Sequence, residues 1–339
     1  MNQKIKANTV IRAGLMILCT MLFSAVTPAV AGDTLNYRLK WLFNTSVAGD
    51  IIADTGGFFK KAGLDVSVNE GGAGKNAIKE LELGYANFGV ASADQVIRAL
   101  EKGADVVVLA QLFQVNPMQW IYRSDQPEIK DLSDLKGRHI GVTFGGNDET
   151  IMNTLLAKAG LTSKDLRISS VRFDFTPFLK KEVDVWPVYR NSQGVILEDR
   201  LAAEGEQVKF FNPADYGVSF VANSVVTSGT MMKKHPETVT SFITALLSAW
   251  EFAVNPANEP QVLAQIKKKD KGTKDNIRQK QLEATRPLIK PDKGTKIGII
   301  DVGAWQQTER IMIQEKQIVA PVDVTSRLVG PKNRILGRV

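Results

Sequence analysis

Short strands and helices alternate through most of this chain, and that order restricts the fold more than any other feature. Tyr37–Leu42, Leu64–Val68, Ala86–Val90 and Val106–Leu112 read as strands, with Ala48–Lys61, Asn76–Leu83 and Asp94–Glu101 as the helices between them. Val106–Leu112 is apolar at consecutive rather than alternate positions, the pattern of a strand buried on both faces. Such an order predicts an α/β fold, with mainly parallel sheets covered by helices. After a polar stretch at Asp125–Ser133, interrupted by Pro127, the alternation resumes. His139–Val142, Arg167–Val171, Val183–Val185 and Val208–Phe211 read as strands, Glu149–Lys158 and Phe175–Lys180 as helices.

Residues 1–31 read as a secretory leader. Lys4, Lys6 and Arg12 precede the largely apolar Ala13–Val26, and Ala29-Val30-Ala31 has the small-residue pattern of a cleavage site, so the mature chain is expected to begin at Gly32 in the periplasm. The single cysteine, Cys19, lies in this leader behind Ile17 and Leu18, which do not suit a lipid-attachment site. The mature chain then has no thiol for a disulfide, a metal or a nucleophile. Its net charge falls from +7 to +4 with the leader removed, and the basic residues do not cluster as nucleic-acid binding requires.

The remaining 308 residues suit two lobes better than one. Crossovers at Tyr122–Asp125 and Val218–Asn223 would assign 32–124 and 224–339 to the first lobe and 125–223 to the second. In the last third, Pro236–Val254 is an amphipathic helix docking on the first lobe through Val239, Phe242, Ile243, Leu246, Leu247, Trp250 and Phe252. Lys267–Lys280 reads as a solvated charged stretch. Asp301–Gln317 is a further helix with Trp305, Ile311 and Ile313 inward.

In open parallel sheets, ligands sit at the carboxyl ends of the strands. Those ends carry Trp41 and Asn44, the turn at Asn69–Gly72, and Ser92 at a helix start. A fourth is the turn after His139–Val142, with Gly145, Gly146 and Asn147. It has the glycine spacing of a phosphate loop, but Asn147 and Asp148 stand where Lys and Ser/Thr are needed. Asp148 and Glu149 oppose an anion at that helix start and favour a ligand with N–H donors. The plain alternative is a strand-to-helix turn capped by Asn147. Phe144, Phe173, Trp186, Tyr189 and Tyr216 add flat surfaces at the same level, with Asp174 and Asn191 as hydrogen-bonding partners and Pro187 expected to splay Trp186 and Tyr189 onto a loop.

Catalytic patterns do not accompany these residues. There is no H-E-x-x-H, G-x-S-x-G or S-x-x-K setting, and the two histidines, His139 and His235, precede elements rather than end strands.

The segments KWLFNTSVAGD (40–50), GFFKKAGLDVSV (57–68), FGVASADQVI (88–97), LKGRHIGVTFGGNDE (135–149), LLAKAGL (155–161) and EVDVWPVYRN (182–191) together resemble the periplasmic substrate-binding proteins of ABC importers that serve thiamine-pyrimidine precursors. The resemblance implies a two-lobe type II binding-protein fold, with a small-molecule ligand held in the cleft between lobes and delivered to a membrane permease. No enzymatic activity, cofactor, metal or nucleic-acid partner is expected, and the protein is expected to be a monomer. Ligand contacts map to Trp41, Asn44, the helix start at Ser92, the glycine turn with Glu149, and Trp186, Tyr189 and Asn191. The chain departs from the family's pattern at Val47, where a histidine is usual, at Asp50, where an aromatic is common, and at Val188–Ser192, where T-Y-N-E is usual. Related fungal enzymes make the thiamine pyrimidine with iron and a cysteine-rich motif, which this chain lacks. The expected ligand is an aminopyrimidine or similar nitrogen heterocycle. The alternatives are a sulfonate or other small anion, and an exported hydrolase or lyase using Asp174 and Glu149.

Overall fold

Two five-stranded sheets carry the chain in a computed structural model that describes residues 34–72, 74–171, 174–331 and 335–336. The leader reading with Cys19 and the cleavage after Ala31, and the reading of Phe173, lie outside those residues. In chain order the strands are β1 (Leu35–Arg38), β2 (Val66–Asn69), β3 (Phe88–Ala91), β4 (Val106–Gln111), β5 (Met118–Arg123), β6 (His139–Val142), β7 (Arg167–Ser170), β8 (Val185–Tyr189), β9 (Val208–Phe211) and β10 (Ser224–Ser228). The first sheet has the order β2-β1-β3-β10-β4 and the second β7-β6-β8-β5-β9. β1 runs parallel to β2 and β3, and β6 parallel to β7 and β8. Each sheet admits one antiparallel strand beside its parallel ones, β10 in the first and β5 in the second.

Within the two large sheets, these are the strands the sequence concealed; a separate parallel pair, Ile300–Asp301 with Ile335–Leu336, was likewise unmarked. Met118–Arg123, read as the end of the first lobe, pairs with β8 and β9 in the second sheet, so the outward crossover precedes Met118. The strand at Val183–Val185 is shifted to Val185–Tyr189, with Pro187 opposite Trp120 inside the ladder rather than in a loop. β1 ends at Arg38 rather than Leu42, which leaves Trp41–Asn44 in the loop beyond it. The helix read over Ala48–Lys61 is broken at Gly56–Gly57 into Ala48–Thr55 and Phe58–Lys61.

The core of the first lobe forms where the helix Pro236–Val254 lays its apolar stripe on the sheet. Phe242 stacks on Phe88 and meets the edge of Tyr37, with ring centroids 3.6 and 5.1 Å apart, and Val239, Ile243, Leu246, Leu247 and Trp250 are buried beside it. Gly49 lies against the buried Trp250 so closely that a β-carbon would stand 2.0 Å from the indole. Neither the helix backbone nor a packed tryptophan can retreat that far, so Gly49→Ala is expected to cost about 3 kcal/mol, the upper part of the overpacking range. Urea unfolding of the variant tests this, and a midpoint equal to the parent's would refute it.

Trp305 is buried on the helix Val302–Gln314 and donates to Gln111 Oε1 at 3.2 Å, while Ile311 and Ile313 are partly buried, as the apolar spacing predicts. The charged stretch at Lys267–Lys280 is not uniformly solvated. It spans the end of the helix Glu259–Lys269 and the start of the helix Asp275–Ile289, and Arg278 within it is 1% exposed. Among the described residues no helix is long and apolar enough to cross a membrane.

Candidate functional site

The loop after β1 reaches across to the second sheet. Lys40 Nζ donates to the Tyr189 hydroxyl at 3.1 Å and lies 5.7 Å from the centre of that ring, a charge–aromatic contact. Asn44 uses its two ends differently. Its Oδ1 caps the short helix Thr45–Val47 by accepting from the Ser46 amide at 2.8 Å, while its Nδ2 donates to Ser192 Oγ at 3.3 Å. Trp41 is half-buried in the same loop, and its carbonyl accepts from the Gly71 amide at 2.9 Å. Gly72 lies on the lip of this loop beside Leu42.

Tyr189 gathers the second lobe's side of the cleft. Its hydroxyl lies 3.5 Å from Asn147 Nδ2 and 3.5 Å from Oδ1 of Asn223, which sits on the return crossover. Asn191 is fully buried, and its Nδ2 donates to Thr285 Oγ1 at 2.9 Å on the helix Asp275–Ile289.

The glycine turn is built around two carboxylates with different positions. Gly146 is the N-cap of the helix Asn147–Lys158 and Asn147 is its first residue, so the expected cap moves by one. Gly145 sits at φ +77, the left-handed conformation that glycine adopts without strain. Asp148 folds back and is 5% exposed; its Oδ2 accepts from the Thr143 amide at 2.5 Å. Burial pushes the Asp148 carboxyl up to about 6, against the opposing pull of the Thr143 amide and of Lys40. Glu149 accepts from the Gly145 amide at 2.7 Å and ties the turn to its own helix. Of the two acids, the one turned inward and sensing Lys40 is Asp148.

Several expected site residues do other work. Trp186 is 1% exposed and packs between Phe175 and Phe178, with centroids 6.3 and 6.1 Å away. Strand pleating explains why: Trp186 and Tyr189 are three positions apart on β8 and therefore face opposite sides of the sheet. Asp174 is exposed and caps a turn by accepting from the Thr176 amide at 2.9 Å. The Ser92 hydroxyl donates to Asp94 Oδ1 at 2.6 Å, at the start of the helix Ala93–Glu101. Tyr216 packs on Phe211 at 4.9 Å and donates to the Ile129 carbonyl, within the second lobe's core. Phe144, at the glycine turn, is 60% exposed.

Lys40, Ser192, Asn223 and Thr285 were not singled out from the sequence. Lys40 opens the segment 40–50 and Ser192 ends Val188–Ser192, and Asn223 ends the predicted return crossover. Thr285 lies in a helix whose charged neighbours mask it. Among the described residues, no group of three or more His, Cys, Asp and Glu could hold a metal ion.

A family model described as NMT1/THI5-like matches residues 44–259, the span that contains most of this cleft. The chain belongs to the NMT1/THI5-like family. Among its curated relatives, a Haemophilus influenzae protein named for thiamine biosynthesis is 26% identical over 253 residues, covering 74% of this chain and 78% of that protein. The formylaminopyrimidine-binding protein of Halalkalibacterium halodurans is 24% identical over 230 residues, covering 67% and 68%. A Saccharomyces cerevisiae 4-amino-5-hydroxymethyl-2-methylpyrimidine phosphate synthase is 21% identical over 230 residues, covering 66% and 67%. In fold, this NMT1/THI5-like protein is similar to the periplasmic aliphatic sulphonate binding protein SsuA of Escherichia coli. The TM-score is 0.69 at 18% identity, covering 90% of this chain and 94% of that one. Its two-lobe α/β architecture is thus that of the periplasmic binding proteins.

Proposed function

We propose that this protein is an exported receptor that captures a small nitrogen heterocycle, of the aminopyrimidine class, between its lobes and hands it to an ABC-type permease. The observation that carries this reading is the place of Asp148. Its carboxylate lies in the first turn of the helix Asn147–Lys158 and accepts from the Thr143 amide of the preceding turn, so it puts negative charge where a small anion would otherwise meet the helix start. An acid with its carboxyl raised to about 6 is largely ionised at neutral pH and favours a partner with N–H donors or positive charge. The formylaminopyrimidine-binding relative supports the same class. In this reading the segments 112–117 and 212–223 between the sheets are the hinge, Trp41 supplies a stacking surface, and the protein acts as a monomer without turning over its ligand.

A sulfonate is the second reading, favoured by the Lys40 ammonium in the cleft. Calorimetry with 4-amino-5-hydroxymethyl-2-methylpyrimidine, a formylaminopyrimidine and hexanesulfonate separates the two. The expected result is binding of the pyrimidines alone, weakened about tenfold or more by Trp41→Ala through loss of ring stacking. Binding of hexanesulfonate alone would overturn the proposal in favour of the anion.

A further inference from the structure

Three buried side chains lie on elements that touch between the lobes, and each carries a polar atom without a protein partner among the described residues. They are Thr45 Oγ1, Asn191 Oδ1 and Gln281 Oε1, on residues that are all fully buried. Shared hydrogen bonds bring their elements together. Gln281 Nε2 donates to the Ser192 carbonyl at 3.2 Å, Asn191 Nδ2 donates to Thr285 Oγ1 at 2.9 Å, and Ser192 Oγ in turn accepts from Asn44, next to Thr45. The helix Asp275–Ile289 packs on the short helix Thr45–Val47.

Chemistry dictates which end of each amide is left over. The Thr285 hydroxyl gives its proton to the main-chain carbonyl of Gln281 at 2.7 Å, so it can only accept from Asn191, and the free Asn191 atom must be the oxygen. Gln281 faces a carbonyl at Ser192, an acceptor alone, so its free atom is likewise the oxygen. Two amide oxygens, beside a hydroxyl that can both donate and accept, leave a demand for hydrogen-bond donors that no protein group meets among the described residues. Buried acceptors of this kind are costly to leave unpaired.

We propose that Thr45, Asn191 and Gln281 form a donor-reading subsite, completed only when the lobes meet, that takes an amino group of the ligand. The subsite rests on the aminopyrimidine reading above and deepens it. An exocyclic amino group offers two N–H donors to the amide oxygens, whereas an oxo group at the same place would set oxygen against oxygen. Because Gln281 and Thr45 belong to the first lobe and Asn191 to the second, the same contacts reward closure.

The test is made on the full-length mature protein with 4-amino-5-hydroxymethyl-2-methylpyrimidine and its 4-oxo analogue. Thr45→Val and Gln281→Met keep side-chain volume and remove the polar atoms. Thr45→Val is expected to leave the melting temperature of the free protein unchanged or raised, since an unpaired hydroxyl is removed, while affinity for the amino compound falls about tenfold. Gln281→Met is expected to weaken binding at least as much. The 4-oxo analogue is expected to bind the parent at least about tenfold more weakly than the amino compound. Failure of the parent to bind the aminopyrimidine would overturn the proposed function and this subsite together. Parent binding that is insensitive to Thr45→Val and to the change of amino for oxo would overturn the subsite alone. A lower melting temperature in Thr45→Val with unchanged affinity assigns the hydroxyl to a bound water and also overturns it. Thr45→Val keeps the test decisive if Gln281→Met does not fold.

Discussion

Asp50→Asn is expected to raise the stability of the protein at pH 8 by up to about 4 kcal/mol and to flatten its dependence on pH. Asp50 is 1% exposed in the helix Ala48–Thr55, and Tyr37 Oη donates to its Oδ1 at 2.6 Å. Burial pushes its carboxyl up from 3.8 to about 7, and the Tyr37 hydrogen bond offsets only part of that. The folded state therefore keeps a proton that the unfolded chain gives up near 3.8. The stabilisation is complete below that pH, is lost progressively as pH rises toward about 7, and stays lost above it. At about 1.4 kcal/mol for each tenfold difference in proton affinity, the interval amounts to about 4 kcal/mol. Asparagine matches the protonated acid in shape, accepts from Tyr37 in the same way, and does not titrate. Asp148, raised to about 6, acts in the same direction and leaves some slope in the variant. Urea unfolding at pH 5 and pH 8 isolates Asp50 as the difference between the two profiles, and parallel profiles would show that Asp50 does not hold its proton in the fold.

Arg278→Ala is expected to cost about 2–5 kcal/mol, at about 1–3 kcal/mol for each buried carbonyl left without its donor. The guanidinium is enclosed by the turn before its own helix. It donates to the Asp270 carbonyl at 2.8 Å and the Thr273 carbonyl at 2.6 Å, and it pairs with Asp275. Alanine would leave two carbonyls unpaired and a cavity where the side chain lay. The same helix presents Gln281 and Thr285 to the second lobe, so ligand affinity should fall with stability. Arg278→Lys keeps the charge but not the fork of donors, and should recover only part of the loss. Thermal melts and calorimetry on the two variants check this. A melting temperature for Arg278→Ala within a degree or two of the parent's would mean the turn holds without its arginine.

Much of the fold was legible because apolar periodicity reports burial directly. Val106–Leu112, the stripe from Val239 to Trp250, and Trp305 all sit where their spacing places them. The misreadings share one cause. β5 and β10 run against their neighbours and each directly follows a crossover between the sheets, and no local pattern distinguishes such a strand from a linker. Lys267–Lys280 looked solvated because lysines surround Arg278 and Gln281, and burial of a polar side chain depends on partners far along the chain.

The candidate site was legible by level rather than by residue. Strand carboxyl ends predicted the loop of Trp41 and Asn44 and the glycine turn, yet the pleat of β8 sends Trp186 into the core while Tyr189 faces the cleft. Asp148 and Glu149 share the sequence argument for selectivity, whereas the fold turns Asp148 inward and ties Glu149 to the Gly145 amide of its own turn.

The sequence by itself determined that two α/β lobes form, and that a glycine turn followed by two acids links a strand to a helix after His139–Val142. Only the tertiary structure decided which side chains meet across the cleft. Lys40 with Tyr189 and Asn44 with Ser192 are 149 and 148 residues apart, and Gln281 reaches Ser192 over 89. The reason is physical: periodicity encodes which face of an element is buried, while pairing between polar groups on separate lobes depends on how the sheets and helices are brought together in space.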